Sequence, residues 1–143
     1  MNENNPKRLP IVEGLLSLSY DKPHLIGSRC KTCNTYFFPK TITCNNPNCK
    51  KGDLDEVALS TRGNIYSYTI QYYTPPLPYK FDGDFLPYAI GLIELPEGIR
   101  VLGQLTVSKP GEVKIGMDVE LVTEKQYTDG EGNEYVTWKF KPI

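Results

Sequence analysis

From Gly63 onward, apolar and polar residues alternate with the period of two that marks half-buried strands. The pattern predicts strands over 64–73, 88–95, 100–107, 119–123 and 135–140. In the first, Tyr66, Tyr68, Ile70 and Tyr72 fall on one face; in the last, Val136, Trp138 and Phe140 point inward. Residues 88–95 are apolar on both faces, as a strand at the centre of a sheet would be. Asp129-Gly130-Glu131-Gly132-Asn133 separates the last two segments and reads as a hairpin turn. Five strands, short turns and no long helix predict a mainly β chain ending in a small five-stranded Greek-key barrel of the OB type.

Two earlier stretches break the alternation. Residues 11–18 space their apolar side chains as a short helix would, with Gly14 as its weak point. A helix that short is marginal alone and must dock on the body or on a partner. Residues 25–49 run as a short strand, a turn carrying Cys30 and Cys33, a second strand through Tyr36-Phe37-Phe38, and a turn carrying Cys44 and Cys49. That is the plan of a zinc ribbon. The expected organisation is a helical segment over 1–24, a zinc ribbon over 25–54 and an OB-fold domain over 55–143. One connection is out of proportion: 74–87 holds Pro75, Pro76, Pro78 and Pro87 together with Tyr79, Phe81 and Phe85. Loops of that length are usually functional, and its aromatic content suits docking.

Composition sharpens this picture in three ways. Ten of the sixteen aromatic residues are tyrosines, whose apolar body and polar tip suit a half-buried sheet face or an interface. No apolar stretch approaches the roughly 20 residues that span a bilayer, and the polar first residues lead into no signal-peptide core. A cytoplasmic protein without membrane contact is expected, and there paired cysteines hold metal more often than they form disulfides. Charge is segregated along the chain. Between Lys22 and Lys51 stand six basic residues and no acidic one, whereas 52–143 carries eight basic and fourteen acidic side chains. The cysteine segment therefore reads as a positive knob on an acidic body, able to receive phosphates.

The metal site is the strongest chemical signal. Zinc takes four deprotonated ligands in a tetrahedron, and two cysteine turns present two sulfurs each. All four cysteines, Cys30, Cys33, Cys44 and Cys49, are used, so a closed, structural site with one zinc per chain is expected. Iron suits the same four thiolates, and two disulfides are the remaining arrangement. Little else supports catalysis. His24 is the only histidine, no cysteine is left over as a nucleophile, and no glycine-rich phosphate loop is present. Asp53, Asp55, Glu56, Asp82 and Asp84 lie in segments that read as solvated loops. Single-stranded nucleic-acid binding is the alternative from another class, with Tyr66, Tyr68 and Tyr72 as stacking residues. The acidic barrel argues against it, because phosphate contacts supply most such affinity.

Several motifs recur here in a definite order: Cys30-x-x-Cys33 with Cys44 and Cys49, Phe38-Pro39, Gly63-Asn64-Ile65-Tyr66-Ser67-Tyr68-Thr69, Pro87-Tyr88-Ala89-Ile90-Gly91-Leu92-Ile93-Glu94-Leu95, Glu97-Gly98-Ile99-Arg100-Val101 and Ile115-Gly116-Met117-Asp118-Val119-Glu120. The set, over roughly residues 10 to 143, resembles the acyl-CoA-associated family that joins an N-terminal helix, a rubredoxin-like zinc ribbon and an OB fold. Its second cysteine pair departs from the family's two-residue spacing by enclosing four residues. The resemblance implies a non-catalytic subunit in a heteromeric complex, in which a thiolase-like partner supplies the nucleophile and this chain shapes or covers the site for CoA or acyl-CoA. Joined to the charge pattern, it makes Arg29, Lys31, Lys40, Lys50 and Lys51 candidates for the CoA phosphates.

Overall fold

The structure, a computed structural model, describes residues 7–18, 22–49, 53–76, 80–107 and 110–143. Ten strands carry it: β1 (Arg8–Pro10), β2 (Leu16–Ser17), β3 (His24–Cys30), β4 (Tyr36–Phe37), β5 (Leu54–Ala58), β6 (Arg62–Gln71), β7 (Tyr88–Glu94), β8 (Arg100–Leu105), β9 (Asp118–Thr128) and β10 (Glu134–Pro142). Among the described residues the only helical turn is a 3-10 turn at Pro110–Glu112, and no helix is long and apolar enough to cross a membrane.

The expected barrel is present. β6, β7 and β8 form an antiparallel meander, β9 pairs with both β6 and β10, and β10 closes on β8 in parallel. This closed five-strand order is that of an OB fold. Closure leaves one inward face, filled by Ile65, Ile93, Val101, Val119, Val136 and Phe140, none more than 2% exposed. Burying side chains of this kind contributes about 1.5–3 kcal/mol each. Gly103 of β8 lets the chain pack this tightly, since a Cβ there would stand 2.5 Å from the Phe140 ring.

Two expectations are corrected. The short N-terminal helix is absent from the described part of 1–24. Arg8–Pro10 instead forms β1, parallel to β10 with Arg8 opposite Glu134, and Leu16–Ser17 forms β2 against β3. Gly14 takes φ 84°, a left-handed conformation that turns the chain between the two. The second correction concerns β6. A β-bulge between Ile65 and Ser67 shifts the register, so Ile65 and then Tyr68 and Ile70 face the core while Tyr66 is expelled. Tyr66 is 48% exposed and lies under the Arg100 guanidinium, 3.6 Å from the ring centroid.

The ribbon is a four-stranded sheet built on β3, which pairs with β2, β4 and β5. Its apolar side continues into the barrel. Leu16, Leu25 and Leu59 belong to the same buried cluster as Ile93 and Phe140, and the Phe38 ring meets Trp138 edge-on at 6.0 Å. Glu97, in the turn after β7, accepts from both the amide and the hydroxyl of Ser60, which lies between β5 and β6.

Candidate metal centre

The first cysteine turn follows from how β3 ends. Cys30 is its last residue and fully buried, and its amide donates to Thr35 O (2.9 Å) while its carbonyl accepts from Asn34 N (2.8 Å). Closing so tight a turn needs a left-handed residue, and Asn34 supplies it at φ 60°. Asparagine tolerates that region better than most residues. The second turn spans four residues between its cysteines and closes through Asn46. Its carbonyl accepts from Cys49 N (3.0 Å), and its side-chain oxygen accepts from Asn48 N (3.0 Å). The same side chain donates to Thr35 Oγ1 (3.2 Å), which ties the wide turn to the narrow one.

The two turns bring all four Sγ atoms within 4.8 Å of one another. Cys30 and Cys49 stand 3.8 Å apart and Cys33 and Cys44 3.6 Å apart, and none of the four is in a disulfide. Sulfurs bound tetrahedrally at a zinc–sulfur distance of about 2.3 Å would stand roughly 3.8 Å apart. The donor set therefore fits a closed tetrahedral thiolate site. The electrostatics favour loss of at least one proton. The Thr35 hydroxyl, 3.1 Å from Cys33 Sγ, with the Thr35 amide lowers the Cys33 pKa to about 6. Cys44 moves the other way: the Asn46 amide lowers its pKa, but burial and the neighbouring thiols Cys33 and Cys30 outweigh it and raise it. Thr35 and Asn46 are the positioning residues that the cysteine spacing did not single out; their hydrogen-bonding side chains inside the turns were the available signal.

The basic candidates behave less uniformly than the charge run implied. Lys31 Nζ lies 3.3 Å from Asp55 and Lys40 Nζ 2.6 Å from Glu56. Asp55 and Glu56 thus sit on β5, a strand of the ribbon sheet, rather than in a loop, and both stay exposed. Arg29 is different. Its Nε is buried with no hydrogen-bond partner among the described residues. Lys50 and Lys51 lie outside the described residues. The three tyrosines singled out for stacking form no single platform, because Tyr68 packs on the core, Tyr66 is capped by Arg100 and Tyr72 is 62% exposed. His24 lies against Lys22 O, 3.0 Å from its Nδ1.

Comparison with known proteins gives the same two-part division. A family model described as the ChsH2 rubredoxin-like zinc ribbon domain matches residues 21–55, and one described as the ChsH2 C-terminal OB-fold domain matches residues 56–124. A DUF35 domain-containing scaffold protein of Methanocaldococcus jannaschii is 41% identical over 121 residues, which is 83% of this chain and 82% of that protein. Benzoylsuccinyl-CoA thiolase subunit BbsA of Thauera aromatica is 33% identical over 121 residues, covering 85% of this chain and 78% of the subunit. The solved structure of an Ltp2-ChsH2(DUF35) aldolase superposes with a TM-score of 0.63 at 30% identity, over 83% of this chain and 84% of that one.

Proposed function

The chain belongs to the ChsH2 family of zinc-ribbon and OB-fold proteins, and on that premise we propose that it is a non-catalytic accessory subunit of a thiolase-type acyl-CoA enzyme complex. The observation that carries the reading is the match, along most of both chains, to a protein named as a subunit of an acyl-CoA thiolase. The chemistry of the site agrees. All four cysteines converge on one point, an arrangement that supports holding a metal ion rather than attacking a substrate. Cys30, Cys33, Cys44 and Cys49 would hold one zinc, whose part is to fix the two turns and not to polarise a substrate. The higher identity to an archaeal scaffold protein favours a scaffolding role over that one aromatic thiolase. A cytoplasmic setting, which keeps thiols reduced, belongs to the same reading.

CoA or acyl-CoA is bound jointly with the partner in this account, with Arg29, Lys31, Lys40, Lys50 and Lys51 as the phosphate-facing residues. Arg29 leads the set, because Lys31 and Lys40 already have carboxylate partners. Single-stranded nucleic-acid binding is disfavoured by the dispersed tyrosines and by the acidic balance of the barrel segment.

Reconstitution with the catalytic subunit tests this reading. The chain alone is expected to show no acyl transfer, and the pair to turn over acyl-CoA. In the pair, Arg29→Met is expected to weaken apparent acyl-CoA affinity about tenfold, the scale of one lost charge-assisted hydrogen bond. Acyl transfer by the chain alone would contradict the accessory role, and an unchanged affinity would remove Arg29 from the set.

A further inference from the structure

Between the loop after β6 and the outer face of the barrel lie two adjoining cavities that the metal centre does not use. The larger, of about 260 Å³, runs under the loop, and the smaller, of about 190 Å³, continues it along β7, β8 and β10. They share Tyr88, Gln104, Gln126 and Thr137, so together they make one elongated trough. The roof is a built feature. Phe81, Phe85 and Tyr88 form an edge-to-face series with 6.1 Å between successive centroids. Gln126 donates to Lys80 O (2.7 Å), and Gln126 O and the amide of Thr128 bond to Asp82.

Three properties of the lining define what fits. Its lining is mixed: the larger cavity is more polar than apolar, and Phe85, Leu86, Ile90 and Leu102 supply the apolar part, with Leu86 and Leu102 75% and 61% exposed, which is costly for leucines facing water. Its two lysines are spoken for: Lys125 pairs with Asp82 at 3.4 Å and Lys139 with Glu124 at 2.6 Å. A phosphate would have to break those pairs, so the trough suits an uncharged ligand. Finally, the carboxamide of Gln104 lines both cavities and has no partner among the described residues. A carboxamide offers donor and acceptor side by side, the complement of a secondary amide.

We propose that this trough holds an extended, uncharged, amide-bearing chain, the pantetheine arm of the acyl-CoA. The identity of the ligand rests on the acyl-CoA reading above; the elongated shape and the mixed apolar and amide lining do not. The phosphates then stay outside the trough, while the two amides of the arm meet Gln104, Gln126 and Thr137.

Trp138 is the only tryptophan of the chain and lines the smaller cavity, so its emission reports occupancy. The full-length chain, alone and with its co-purified partner, would be titrated with pantetheine and separately with adenosine 3′,5′-bisphosphate. Pantetheine is expected to change Trp138 emission saturably and the bisphosphate to leave it unchanged. Gln104→Leu, at a strand position facing the trough, is expected to weaken pantetheine about tenfold, the scale of one unmade hydrogen bond to a ligand amide, and Thr137→Val less. A response to the bisphosphate alone, unchanged pantetheine affinity in both variants, or no saturable response with or without the partner would overturn the proposal. The two readings fail separately. A chain that captures a catalytic partner but not pantetheine keeps the accessory role and loses the trough; one that binds pantetheine but elutes alone does the reverse.

Discussion

At the scale of single residues, the metal site rests on two turns: the Asn46 side chain donates to Thr35, and the four sulfurs gather beside them. Along β6, one extra residue decides which side chains face the core. Tyr66, Tyr68 and Ile70 share a face under a strict period of two, and the bulge after Ile65 puts Tyr66 on the other side without altering composition. Asp129 shows a polar residue fixing local structure. Burial alone would raise its pKa, but the amides of Asn133 and Glu131 and the Asn133 side chain bond to its carboxylate and hold it below the usual value. A depressed folded pKa means that the stabilisation is present above the unfolded value of about 3.9 and is lost as pH falls through the folded one. The turn between β9 and β10 should therefore loosen in acid. Tyr127 and Tyr135 stack at 4.6 Å just outside that turn, so their near-ultraviolet circular dichroism should weaken below about pH 4. In Asp129→Asn the signal should be weaker at neutral pH and should lose its acid dependence; an unchanged acid midpoint would refute this role for the carboxylate.

At the scale of elements, the five barrel strands were readable because each carries a local signal, an alternating pattern in four of them and a short run apolar on both faces in β7, and needs no distant information. The N-terminal segment was not readable in that way. Its apolar spacing at Ile11, Leu15, Leu16 and Leu18 suits a helix as well as a strand, and the deciding factors are non-local: β10 offers an edge to Arg8–Pro10, and β3 offers one to Leu16–Ser17. β5 was hidden for a related reason, since Asp55 and Glu56 read as loop until β3 supplies its edge and Lys31 and Lys40 their counter-charges. The ribbon also proves to share its buried cluster with the barrel through Leu16, Leu25 and Leu59. Loss of the metal should therefore be felt beyond the ribbon. Chelation is expected to lower the thermal midpoint of the barrel by at least about 10 °C, as a few kcal/mol would in a chain of this size. Cys30→Ser should do the same without chelator. A barrel transition that stays at the same temperature after metal removal would show that the two parts are energetically independent.

At the scale of the whole molecule, charge segregated along the sequence is not charge segregated in space. The basic run from Lys22 to Lys51 reads as an open phosphate site, yet folding returns acidic β5 to its side and leaves Arg29 as the described candidate with an unsatisfied donor. The trough beneath the loop was only half visible. The length and aromatic content of 74–87 marked the segment as functional, but the cavity requires side chains from β7, β8, β9 and β10 that no local pattern connects. What joins these scales is a chain whose four cysteines meet at one point beside a closed five-stranded barrel. The most direct test is to capture the tagged chain from its native extract and to identify the bound protein and quantify the metal in one eluate. The account expects a thiolase-type catalytic subunit in fixed stoichiometry, with one zinc for each copy of this chain. A chain that elutes alone, or with nucleic acid in place of a catalytic subunit, would contradict the accessory role even if the zinc were present.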